Sequence, residues 1–281
     1  MASSVPSSLS ARLAALGSSL SVRLVTSLAL IGFLFLTLPL AALVIRAAQG
    51  RAWENLPGSA IPDAIWLSFI TTLASLVLTL IFGTPLAWVL ARRRFPMRRL
   101  VNVVVELPIV LPPAVAGLAL LLTFGRNGLL GGVLSTLGIT IPFTSFAVIL
   151  AQVFVAAPFY IRAAQLGFQS IPREIEDAAR VDGAARLPLF LWITLPLSGR
   201  SLTAGLILCW ARALGEFGAT ILFAGSLQGR TQTMPLLIYN IFERDLDAAV
   251  WTGLILIGLA LLALLVSQGL GHSATADNQT Q

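Results

Sequence analysis

The sequence contains no lysine; its 18 basic residues are all arginine. It holds one cysteine, one histidine and two tyrosines, and only 11% of its residues are charged. Each shortage excludes something. Without lysine there is no Gly-Lys-Ser/Thr loop to grip phosphates, so the chain is not a P-loop ATPase, and any ATP it uses is hydrolysed by another chain. The lone Cys209 lies inside an apolar run; it builds no disulfide framework and says nothing of redox compartment. The lone His272, in the polar C-terminal tail, cannot make a metal site. A soluble domain carries about a quarter of its residues charged. Here 57% of 281 residues are hydrophobic, more than a soluble core of that length can hide, so the class is integral membrane protein.

What the chain does have is long apolar runs. Six segments stand out, at 24–45, 62–91, 100–124, 143–161, 201–223 and 248–269. A helix needs about 20 apolar residues to cross the hydrocarbon core. The second run is long enough to tilt or to extend beyond the bilayer. The third is interrupted by Pro108, Pro112 and Pro113, whose freed backbone groups must be re-satisfied by protein or water. That points to a helix inside the bundle, with a kink against lipid as the alternative. Arg12 and Arg23 precede a first run too long for a signal-peptide core, so a retained span is expected. Residues 1–23 read as a mobile cytoplasmic N-terminus with a possible surface helix, 24–269 as the membrane domain, and 270–281 as a disordered cytoplasmic tail.

The net charge of +6 could suggest nucleic acid, but the arginines sit in short segments between apolar runs. With the N-terminus inside, segments 1–23, 92–99 and 162–200 hold twelve arginines, and the opposite loops 46–60, 125–142 and 224–247 hold five. The positive-inside rule then places both termini in the cytoplasm. The expected fold is all-α, with six transmembrane helices, N-in and C-in, in a multi-pass cell (inner) membrane protein. The cluster Arg92, Arg93, Arg94, Arg98 and Arg99 is expected to anchor on anionic headgroups, or else to bind a partner. Glu106 is expected near the inner interface, snorkelling or pairing with that cluster.

One stretch breaks the apolar pattern: EIEDAARVDGAARLPLFLWITLPL, residues 174–197. Pro172 suits a helix start, and Glu174, Glu176 and Asp177 complement the helix dipole in its first turns. Ala178, Ala179 and Gly183 form a small-residue face that another protein can approach closely. A merely solvated connector is the alternative, but long ordered loops tend to be functional. The set Asp177-Ala178-Ala179, Gly183 and Ile193-Thr194-Leu195-Pro196 resembles the EAA loop of ABC importer permeases, with Asp177 where that family has Glu. The resemblance implies a coupling loop, about 172–188, that docks on a cytoplasmic ATPase through Glu174, Glu176, Asp177, Ala178, Ala179, Gly183, Leu195 and Pro196.

Downstream, ARALGEFGAT (211–220), LPIVLPPAVAGLALLLTFGRNGLLG (107–131) and GRTQTMPLLIYNIFERDLDAA (229–249) resemble the permease subunits of molybdate, tungstate and sulfate importers, the molybdate type most closely. Arg212 and Glu216 are spaced to stack on one helix face. Ionisable groups at membrane depth face a cavity or the bundle interior. Two readings stand: a translocation path or gate with Gly215, Phe217, Gly218 and Thr220, or an internal salt pair. Gly215 and Gly218 would allow close helix approach across a two-fold axis. Arg230, Thr231, Gln232 and Thr233 offer donors for an oxyanion or a docking protein, or form an ordinary outer loop.

The resemblance implies a non-enzymatic permease that imports molybdate or tungstate. Its expected partners are a second copy of the chain, two ATPase subunits and an extracytoplasmic binding protein. ATP and Mg would be bound by the ATPase, with no cofactor or metal in this chain and no nucleic-acid partner. A sulfate or thiosulfate permease and a stand-alone secondary transporter or channel are the alternatives.

Overall fold

In a computed structural model of the chain, which describes residues 7–50, 58 and 60–276, all regular structure is helical. A chain in lipid must satisfy its backbone groups internally, and helices do so within one segment. Helix α1 (Ser7–Gln49) belongs to a compact unit of its own. Its stretch Arg23–Gln49 is apolar, exposed and long enough to cross a membrane. The helix runs back to Ser7 without a break at residue 23, where the sequence suggested a separate N-terminal segment. The side chains of Arg12 and His272, and the tail beyond Ala276, lie outside the described residues.

The second unit begins with a continuous apolar rod, Ala60–Arg92. It comprises α2 (Ala60–Leu78), a π-turn at Thr79–Gly83 and α3 (Thr84–Arg92). Proline explains the π-turn. Pro85 has no N–H for the preceding turn, and widening the helix there absorbs the missing bond. The same device recurs at Phe190–Thr194, just before Pro196.

Beyond the rod come α4 (Arg98–Val110), α5 (Pro113–Phe124), α6 (Gly131–Thr136) and α7 (Ser145–Ser170). The expected third span is two helices, α4 and α5, bent by 117°. Leu111 and Pro112 are extended because each precedes a proline, which disfavours helical geometry. Helix α7 is capped by the Thr144 hydroxyl, which accepts from the Ala147 N–H at 3.3 Å. It continues to Ser170, so the connector after it is shorter than the apolar run alone suggests.

The remaining helices are α8 (Arg173–Val181), α9 (Arg186–Leu189), α10 (Leu195–Leu197), α11 (Gly199–Leu214), α12 (Gly218–Phe223), α13 (Met234–Phe242) and α14 (Leu246–Ala276). Among the described residues three helices are long and apolar enough to span a membrane, and two bent pairs, 98–124 and 186–214, raise that to five. The expected fifth span, 201–223, is not one helix: it stops at Leu214 and restarts at Gly218. The tail expected to be irregular from 270 continues α14 to Ala276.

Helix α7 is the centre of the bundle and packs on α2, α3, α4, α5, α11 and α12. Lipid supplies no hydrophobic drive between helices, so small residues that allow close packing must hold them. A Cβ on Gly205 of α11 would lie 2.6 Å from the Ala163 Cβ of α7, closer than atoms can sit. Cys209 is buried in that seam beside Tyr160 and Phe168, as a packing residue.

Candidate functional site

The EAA-like segment folds as the short helix α8 and a sharp turn. The turn has two reciprocal bonds: the Gly183 N–H donates to the Arg180 carbonyl at 3.1 Å, and the Ala184 N–H to the Ala179 carbonyl at 2.9 Å. This is the Schellman stop, which needs a left-handed residue at its apex. Gly183 supplies it, at φ +88°. Glu174, Asp177 and Ala178 are exposed and Ala179 is half-buried. Val181, at the helix end, is 87% exposed.

Glu176 differs from its neighbours. It is 5% exposed and points into the protein rather than outward. Its carboxylate lies 2.8 Å from the Arg92 guanidinium at the end of α3, and 3.4 Å from Arg180. The Thr194 hydroxyl donates to it at 3.3 Å. Arg92 also donates to the Ile171 carbonyl at 3.1 Å, just before α8. One buried carboxylate thus ties α8, the π-turn before α10 and the end of the α2–α3 rod into a single junction. Asp177 pairs with Arg180 along the helix surface.

Two sequence expectations change here. Arg92 does not join its neighbours on headgroups; its side chain is only 10% exposed and is committed to Glu176. Glu106 pairs with Arg162 of α7 at 3.0 Å, not with the 92–99 cluster. The sequence reading missed Arg92 and Thr194 as partners of Glu176. Thr194 sits within the quoted Ile193-Thr194-Leu195-Pro196 set and could have been found there; nothing local marks Arg92 among five neighbouring arginines. Leu195 and Pro196, which follow Thr194, line an apolar groove with Tyr160 and Leu202.

The second constellation is the break between α11 and α12. Arg212 and Glu216 do pair, at 2.7 Å, but not along one helix, because α11 ends at Leu214. The second Glu216 oxygen accepts the Ala219 N–H at 2.7 Å. Glu216 therefore caps α12 while neutralising Arg212; its side chain is 1% exposed and that of Arg212 is 28% exposed. Gly218 makes a close approach within this chain: a Cβ there would fall 2.5 Å from the Pro113 Cβ of α5. Gly215 is exposed, Phe217 stacks at 5.1 Å on Tyr239 of α13, and Thr220 is fully buried.

At the loop before α13, Arg230 is exposed, but Thr231, Gln232 and Thr233 are buried. The Thr231 hydroxyl accepts from the Leu227 N–H at 2.9 Å, and the Gln232 amide donates to the Ser226 hydroxyl at 3.2 Å. The neighbouring Met234 N–H donates to the Ser68 hydroxyl of α2 at 2.8 Å. These groups knit the loop to itself and to the bundle, leaving Arg230 as its outward-facing donor.

A bundle of apolar helices, broken at prolines and at one buried ion pair, with a pinned polar helix at one end, defines a multi-pass membrane protein. The chain belongs to the family described as binding-protein-dependent transport system inner membrane component, whose pattern matches residues 83–272. Membership places it in the cell membrane as a transport permease and sets aside a stand-alone secondary transporter. The molybdenum transport system permease protein ModB of Mycobacterium tuberculosis is 41% identical over 237 residues, 84% of this chain and 90% of that protein. The sulfate transport system permease protein CysT of Escherichia coli is 34% identical over 235 residues, 82% of this chain and 85% of that one. A chain from the crystal structure of a bacterial alginate ABC transporter, in complex with its alginate pentasaccharide-bound periplasmic protein, superposes with a TM-score of 0.74. It covers 91% of this chain and 95% of that one at 19% identity, which establishes a shared ABC permease fold alone.

Proposed function

We propose that this chain is the membrane-spanning subunit of an ATP-driven importer that carries a tetrahedral oxyanion, molybdate foremost, into the cytoplasm. The observation that carries the importer reading is α8: a polar helix with Ala178 exposed on one side, pinned on the other by the buried Glu176–Arg92 pair. The cargo follows from the stronger likeness to ModB than to CysT. A sulfate cargo is the second reading, favoured by the likeness to CysT.

In the mechanism, both termini and α8 face the cytoplasm, and two copies of the chain form the pathway. Each α8 docks on an ATPase subunit, which holds the ATP and Mg. Closure of the ATPases draws the two coupling helices together. Because Glu176 locks α8 to Arg92, that movement is delivered to the end of the α2–α3 rod and opens the bundle outward. An external binding protein then releases the anion into the pathway, and hydrolysis resets the inward state. Arg212 attracts the passing anion and Glu216 lowers its grip, as transport requires binding weak enough to release. This chain performs no bond chemistry.

Proteoliposomes carrying the permease, its ATPase and its binding protein test the cargo. Uptake of molybdate should be competed by tungstate and be insensitive to sulfate at equal concentration; competition by sulfate alone would assign the second reading. Docking is tested at Gly183. Open space surrounds its missing Cβ, so Gly183→Arg should insert normally. Forcing a left-handed backbone on arginine costs about 1–2 kcal/mol and loosens the turn. Uptake and co-purification of the ATPase should both fall; normal values of both would sink the docking assignment.

A further inference from the structure

Beside the Glu176 junction lies a cavity of about 330 Å³, between the end of α3, α8 and α9. Arg92, Arg93, Arg173, Arg180 and Arg186 line it, against only two carboxylates, Glu176 and Asp177. Both carboxylates are already taken. Glu176 is shared by Arg92 and Arg180, and Asp177 pairs with Arg180. Arg93 stacks over Trp88 at 5.6 Å, and among the described residues Arg173 and Arg186 form no ion pair. Arg92 is nine-tenths buried, and its Nε has no acceptor. A buried donor left unpaired is costly, and so are like charges held well inside a Debye length of about 8 Å. One bound anion would relieve both. The volume suffices for an anion and its waters, since a water takes about 30 Å³.

We propose that this arginine-lined cavity is an anion-binding site for a tetrahedral oxyanion group, separate from the translocation path. The ligand is either a free oxyanion or the phosphate of an anionic lipid headgroup. Arginine suits it, because its planar fork matches tetrahedral oxyanions in paired hydrogen bonds. An occupant would bridge Arg92 and Arg93 of α3, Arg173 and Arg180 of α8, and Arg186 of α9. It would therefore clamp the coupling helix to the transmembrane rod. The site rests on the proposed function only in facing the cytoplasm, where both ligand sources exist.

The test uses the permease–ATPase complex in nanodiscs, wild type and Arg173→Gln/Arg186→Gln, without binding protein. Both replaced residues are exposed, so the variant should fold. In phosphatidylcholine discs, calorimetric titration with molybdate and with inorganic phosphate tests a free oxyanion. In mixed discs, native mass spectrometry tests retention of phosphatidylglycerol over phosphatidylcholine. Loss of two charge-assisted contacts should weaken binding by about ten-fold or more in the arm that holds the ligand. A difference in the first arm assigns a free oxyanion, and one in the second assigns a headgroup. Identical behaviour of wild type and variant in both arms overturns the site. So does loss of the ATPase from the variant, which would make Arg173 and Arg186 docking residues. Phosphate and lipid probes do not depend on the cargo, so a failed molybdate uptake assay would leave this result readable.

Discussion

Glu176→Ala is expected to abolish uptake while the protein still inserts and its ATPase still binds. Glu176 and Arg92 are both nearly buried and lie 2.8 Å apart. Removing one partner of such a pair leaves an uncompensated charge and costs about 3–5 kcal/mol. At 1.4 kcal/mol per factor of ten, the pinned geometry of α8 becomes at least about 100-fold less populated. The loss is aggravated because Arg92 then faces Arg93, Arg173, Arg180 and Arg186 around one cavity. The proposed docking residues Asp177, Ala178 and Ala179 keep their side chains. The expected signature is uncoupling: ATP hydrolysis continues and uptake stops. Arg92→Glu should fail alike, and Glu176→Arg with Arg92→Glu should recover part of the flux. A Glu176→Ala protein that transports normally would show that α8 moves the bundle by another route.

The α11–α12 break yields the second large effect, and two replacements at Glu216 divide its roles. Glu216→Ala removes both the partner of Arg212 and the acceptor of the Ala219 N–H. Loss of a cap alone costs about 1 kcal/mol. Leaving a largely buried arginine unpaired adds about 3 kcal/mol or more. Folded, membrane-inserted protein should fall sharply. Glu216→Gln keeps an acceptor for Ala219 but not the charge, so the protein should fold while Arg212 grips an anion too firmly. Uptake should then slow with a lowered apparent KM. Arg212→Ala in turn leaves the buried Glu216 carboxylate unpaired, so the amount of folded protein should fall and uptake per folded molecule should be impaired. Normal kinetics in Glu216→Gln and Arg212→Ala would reduce the pair to a structural one.

Much of the fold was legible because hydropathy is a local property. The runs 62–91 and 143–161 became the Ala60–Arg92 rod and α7. The proline set at 108–113 marked the α4–α5 bend, since proline acts on its own turn and on the residue before it. Less legible was the break after Leu214, which lies within an apolar run and contains no proline. Its only local signs are Gly215 and Gly218, and glycine also serves for helix contact. Here it does both: Gly215 ends α11, and Gly218 lets α12 meet Pro113. At the outer loop, residue type suggested donors for a ligand, but burial turned Thr231 and Gln232 into the loop's own fastenings.

By itself the sequence determined the class, through apolar runs that only lipid can surround. It also left the chain without a P-loop lysine, and the spacing of Ala178, Ala179, Gly183 and Pro196 raised the expectation that an ATPase docks there. The tertiary structure alone decided which charges distant in the chain meet. Glu176 and Arg92 stand on distant parts of the chain, and no periodicity links them; they pair because α8 folds back against the end of the α2–α3 rod. Hydropathy and turn signals act over a few residues, whereas a buried ion pair reports how whole helices pack.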